Sequence, residues 1–222
     1  MHDALLYSFS ILGEREVELD MYFAMLRKNA YSEHDEISIL RATSFLLLYN
    51  AIEATITQLV LDYHSFLSTK TFAELNERLK THYIDSKLSE CKPRSANYET
   101  YISKCKEIID EITKSTTTRF NIDQLQERLP FSGNIDTKYI SVLFKKSWGI
   151  IIDSSSIPKC INDIKDKRNA LAHGRMSFVE VGKDLAIDGV CGLMEYKQET
   201  IKCLKYLLES MENHILSVYK ID

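Results

Sequence analysis

Glycine and proline are scarce, with 7 and 3 residues in a chain of 222. Hairpin-rich β folds need such residues at their turns, so their absence favours long helices with few interruptions. The five cysteines, Cys91, Cys105, Cys160, Cys191 and Cys203, are odd in number, and no two stand in C-x-x-C spacing. This argues against a disulfide scaffold and a thiolate zinc site, and a reducing, cytoplasmic setting is expected. His34, His64, His82 and His214 are scattered, without H-E-x-x-H or similar spacing, so no metal is expected. No Walker loop or G-x-G-x-x-G occurs, and no cofactor is expected. The 12 tyrosines do not form an RNP-like array. The opening MHDALLYSFSILGEREVE has no basic stretch ahead of its apolar residues, so it does not read as a signal peptide. The most apolar stretch, residues 42–61, is interrupted by Glu53. Its longest uncharged run, residues 42–52, is too short for a bilayer, and no membrane association is expected.

What is present reads as helix. Residues 14–30 carry apolar side chains at helical spacing, and 36–66 form a long second helix. The centre of that helix, FLLLYNAIEATITQLVL, is apolar around nearly its whole circumference, the mark of burial on most sides. Thr71 and Glu74 match a capping box, which predicts a third helix to about residue 83. A loop around Pro93 spans 86–96, followed by helices at 98–114, 122–128 and 136–148, with a turn at Gly133 and Asn134. Ser154 to Ser156 and then Pro158 start another helix, which runs to His173 and stops at Gly174. Residues 175–192 read as a connector with a short strand or turn at SFVEVG, and 193–219 as the last helix. The expected fold is all-α: a single domain over 1–222, with 84–135 inserted between core helices.

The net charge of -4 is wrong for a general polyanion binder, so any nucleic-acid site must be a local basic patch. Such a patch exists between residues 159 and 175. There Lys159, Lys165, Lys167, Arg168 and Arg175 outnumber Asp163 and Asp166. A solvated helix face would have the same charges.

The window contains Arg168-Asn169-Ala170-Leu171-Ala172-His173. Asn169 and His173 share a helical face, so the amide is placed to orient the imidazole. Arg168 lies five residues before His173, displaced by roughly 140°. An arginine that keeps its charge can stabilise a phosphorane, and a histidine can move a proton. A lone histidine at a helix C-terminus can equally serve only the helix dipole.

RNALAHG at a helix end resembles the R-x4-6-H signature of the HEPN superfamily (higher eukaryotes and prokaryotes nucleotide-binding domains). The blocks FLLLYNAIEATI, FSGNID and SFVEVGKD are similar, in that order, to a prokaryotic branch of HEPN-like nucleases found among toxin and phage-defence genes. The likeness covers roughly residues 40–65 and 130–215. It implies a helical bundle that dimerises with two motifs facing one cleft and cuts RNA without a metal. Arg168, Asn169, His173 and Glu53 would then be the catalytic set, with Glu53 anchoring Arg168. Tyr49 and Asn50, one turn earlier, share the face of Glu53. Lys165, Lys167 and Arg175 are candidates for RNA contact. An RNA substrate, a homodimer and an antitoxin protein are the implied partners. Two alternatives stay open: a non-catalytic HEPN module that binds RNA, nucleotide or protein, and a helical scaffold in which Arg168 and His173 serve only the fold.

Overall fold

The computed structural model describes residues 3–28, 35–89, 98–114, 117, 134–183 and 189–219. The fold is all-α. Its helices are α1 (Leu6–Lys28), α2 (Asp35–Leu67), α3 (Glu77–Ser89) and α4 (Tyr98–Thr113). They continue with α5 (Thr137–Val142), α6 (Cys160–Ala172), α7 (Phe178–Lys183) and α8 (Gly189–Tyr219). No strand occurs among the described residues.

The near-continuous apolarity of α2 is explained by its position as the axis of the bundle. α1, α6, α7 and α8 all pack against it, and Leu48, Ile52, Ile56 and Leu59 are wholly buried. By length and composition α2 could cross a bilayer, but it is the core helix here, with much of its apolar surface buried by the other helices. Polar bonds fix α1 along it. The buried Asp62 carboxylate accepts from the Ser8 amide at 2.8 Å and hydroxyl at 2.7 Å. Tyr22 donates to the Leu40 carbonyl at 2.6 Å.

Several local expectations are revised. α1 starts at Leu6, well before residue 14, because the first apolar residues continue its buried face through Leu12. The Thr71–Glu74 capping box forms, but it closes only a 3-10 turn at Phe72–Glu74. α3 is capped instead by Asn76, whose side-chain oxygen accepts from the Leu79 amide at 2.9 Å. It runs through part of the expected loop to Ser89. The helix expected at 136–148 changes pitch: α5 passes into a π turn at Leu143–Trp148, ended by Gly149 at φ 73°. The helix expected to start at Ser154–Pro158 forms, but it begins later: Ser154–Ser156 is a separate 3-10 turn, and α6 starts at Cys160. α8 begins at Gly189 rather than 193.

The short strand or turn at SFVEVG is a correction: this segment is the helix α7. Its missed signal is S-x-x-E. The Glu180 carboxylate accepts from the Ser177 amide at 2.7 Å, and the Ser177 hydroxyl accepts from the Glu180 amide at 3.2 Å. α7 lies so close to α2 that a Cβ on Gly182 would sit 1.8 Å from the Ser38 carbonyl oxygen. The helix expected at 122–128 and the turn residue Gly133 lie outside the described residues.

Candidate active site

The site is built on α6. Ile161, Ile164 and Leu171 are buried at helical spacing, which turns this stripe toward the bundle. Arg168 falls on the same stripe, so its side chain is directed at α2 rather than into open solvent. There its guanidinium lies over the Tyr49 ring, 4.5 Å from the centroid. Its Nη2 is 3.7 Å from Glu53 Oε2, with the two side chains 25% and 31% exposed. The charge that interrupts the apolar run of α2 therefore has an opposite charge from α6 beside it. Arg168 Nη1 also donates to Asn169 Oδ1 at 2.9 Å.

A second stripe of α6 faces the three residues that lead into α5, Asn134 to Asp136, and its first residue, Thr137. Asn162 Oδ1 accepts from the Thr137 amide at 3.1 Å. Lys165 Nζ binds Asp136 Oδ2 at 3.1 Å, and Asn169 Nδ2 lies 3.5 Å from Asn134 Oδ1. Between these contacts the Ile135 amide donates to the Tyr49 hydroxyl at 3.0 Å. Asp136 also caps α5, accepting from the Tyr139 amide at 2.7 Å. Partial burial raises the Asp136 carboxyl, but the Tyr139 amide and Lys165 outweigh it, and the net shift is downward. Burial of Tyr49 raises its hydroxyl, against a smaller opposing effect of the Ile135 hydrogen bond, so it is held neutral as an acceptor.

His173 is the C-cap of α6 and is exposed. The helix stops there in a Schellman turn. Gly174 adopts φ 64°, its amide donates to the Leu171 carbonyl at 3.1 Å, and the Arg175 amide donates to the Ala170 carbonyl at 2.8 Å. The turn carries the imidazole past the end of the packed helix. Arg175, the next residue but one, is also exposed.

The structure thus brings Arg168, Asn169 and Glu53 together and adds Tyr49 beneath them. The expected role of Asn169 as the orienter of the imidazole is not what this arrangement shows. Its amide side chain is engaged by Arg168 and Asn134, and only its backbone carbonyl meets His173, accepting from that residue's amide at 3.1 Å. Asn50 is exposed, without a hydrogen bond to the motif among the described residues. Lys165 lies between Asp136 and Asp166 at 3.1 and 3.5 Å, so its charge is used within the fold. Lys167 is half-buried. Sequence reasoning missed Asn134, Asp136 and Asn162. The missed signal was the N-I-D-T run, with a helix cap at Asp136, after the expected turn. No three His, Cys, Asp or Glu among the described residues are placed to hold a metal.

An all-α bundle with an Arg-x4-His motif ending one of its core helices has the features of a HEPN domain. The family model described as HEPN_MAE_28990-like HEPN matches residues 8–219, and the chain belongs to this family. No curated protein and no solved structure matches.

Proposed function

We propose that the chain is an endoribonuclease of the toxin or defence-effector kind, cutting RNA without a metal at a site shared by two copies. The observation that carries this reading is the pairing of a fixed charge with a mobile proton carrier. Arg168 is set by Tyr49, Glu53 and Asn169, while His173 stands exposed at the end of the same helix. A charge held in advance stabilises the phosphorane without reorganising during reaction. Cleavage through the 2′-hydroxyl needs one group to take its proton and another to protonate the leaving 5′-oxygen. One His173 per chain can fill both roles only when two chains meet. The products would be a 2′,3′-cyclic phosphate and a 5′-hydroxyl, and DNA, lacking the 2′-hydroxyl, would be spared. Exposed Ile39 on α2 and Phe178 on α7 supply apolar surface on the two helices that meet at Ser38 and Gly182, suited to a protein contact. Arg175 is an exposed cation available to the RNA backbone.

The alternative, a non-catalytic HEPN module, is favoured by one observation: the contacts of Arg168 are also those of a structural residue. The test is labelled RNA incubated in EDTA with the wild type, Arg168→Ala and His173→Ala, each checked for folding. Loss of cleavage in both folded variants supports catalysis. Cleavage that survives His173→Ala removes the proposed proton transfers, and a wild type that binds RNA without cutting it supports the module.

A further inference from the structure

Peripheral helices of soluble proteins turn one apolar face inward and a polar face outward. α1 departs from this. Its inner face buries Leu12, Leu19, Phe23 and Leu26. Roughly 180° around the helix, a second apolar stripe at i, i+4, i+8 faces solvent: Val17 is 52% exposed, Met21 70% and Met25 40%. A helix that is apolar on two opposite faces calls for cover on both, and methionine is enriched where proteins meet.

The charges of α1 indicate what covers the outer stripe. Most of them are already matched. Glu16 pairs with Lys205 of α8 at 2.8 Å, Asp20 pairs with Lys197 of α8, and Arg15 pairs with Glu18 at 2.5 Å. Glu14 and Lys28 are exposed and make no ion pair with another described residue. They lie on the outer face, one at each end of the stripe, and each is seven residues from Met21, about 10 Å along the axis. Such a face is complementary to itself when reversed. We infer that the outer face of α1 docks a second copy of this chain, antiparallel about a two-fold axis at Met21. Val17 then meets the other copy's Met25, and Glu14 meets its Lys28, twice by symmetry. A parallel pairing would instead set Glu14 against Glu14 and Lys28 against Lys28, so charge selects the antiparallel one.

None of Arg168, His173 and Glu53 lies on α1, so this contact stands apart from the RNA reading. If the two-motif cleft also forms, each chain carries two isologous interfaces, and assembly passes beyond the dimer to a tetramer or an open chain. A contact made by one face of a single helix implies concentration-dependent association.

The test is sedimentation velocity of the full chain over a concentration series, with RNA cleavage measured in parallel. The proteins are the wild type, Met21→Glu, Glu14→Lys, Lys28→Glu and the double charge swap. Met21 is exposed enough that its replacement leaves the fold intact, checked by circular dichroism. The expected result is an association step weakened at least tenfold by Met21→Glu and severalfold by either single swap, and restored by the double swap. A tetramer that falls to a cleaving dimer supports both contacts. A dimer that falls to a cleaving monomer supports the α1 contact and removes the two-chain mechanism. A wild type that is monomeric throughout, a mass unchanged by Met21→Glu, or a double swap no better than the singles overturns the α1 contact.

Discussion

Arg168 is positioned in part by the Tyr49 ring, the Glu53 carboxylate and the Asn169 side chain. A partly exposed ion pair contributes within about 1 kcal/mol of stability, so Glu53→Gln should barely move the melting temperature. Under the proposed mechanism, misplacing a charge that meets a phosphorane costs far more in rate, so RNA cleavage by Glu53→Gln should fall about tenfold or more. Melting and cleavage measured on one preparation check the contrast. Tyr49→Phe keeps the ring under Arg168 but leaves the Ile135 amide without its acceptor. A loss of about 1–3 kcal/mol in urea unfolding is expected. A separate residue-scale effect comes from the aromatic cluster at the far end of α2. Burial, with a contribution from His82, lowers His64 from 6.5 to about 3. Burial also lowers His82 and His214. All three favour the neutral form in the folded chain, so they support stability above pH 6.5 and withdraw it as pH falls below that, for His64 down toward 3. For His64 the slope approaches about 1.4 kcal/mol per pH unit. Melting between pH 7 and 5 should therefore show a steep fall, and His64→Phe should make it shallower.

Between elements, two glycines do different work. Gly182 lets α7 lie on α2, and the Cβ of Gly182→Ala would collide with the Ser38 backbone, which cannot rotate away as a side chain can. α7 must move, at a cost of about 3 kcal/mol or more. Gly174 has open space around it and only a left-handed conformation to maintain. Gly174→Ala should cost about 1 kcal/mol, the penalty of a Cβ at positive φ. Urea midpoints separate the two. The helix stop at Gly174 follows from local chemistry and was legible in the sequence. α7 was legible too, through S-x-x-E, but the alternating look of SFVEVG concealed it. The π turn had no such signal, because its pitch is set by the packing of Leu143, Phe144 and Trp148 in the core.

For the whole molecule, the proposed two-copy site would make cleavage depend on association. If His173 from each of two chains is needed, specific activity should fall on dilution, approaching first order in protein concentration below the dimer's dissociation constant. A flat specific activity down to the monomeric range, checked by sedimentation at the same concentrations, would remove the shared cleft and leave any chemistry within one chain.

The sequence by itself determined the helical class, the burial of α2, the stop after His173 and the Arg-Asn-x3-His motif, because helical periodicity and caps are written within a few neighbouring residues. A charge inside an apolar run needs a partner, and the resemblance to HEPN nucleases pointed from Glu53 to Arg168. Only the tertiary structure decided that Tyr49 lies under the guanidinium, that Asn169 serves Arg168 rather than the imidazole, and that Asn134 to Thr137 brace the motif helix. It also decided that α1 shows solvent a second apolar face. These depend on how distant segments pack and on which side of each helix is left uncovered, and no local pattern in the chain records that.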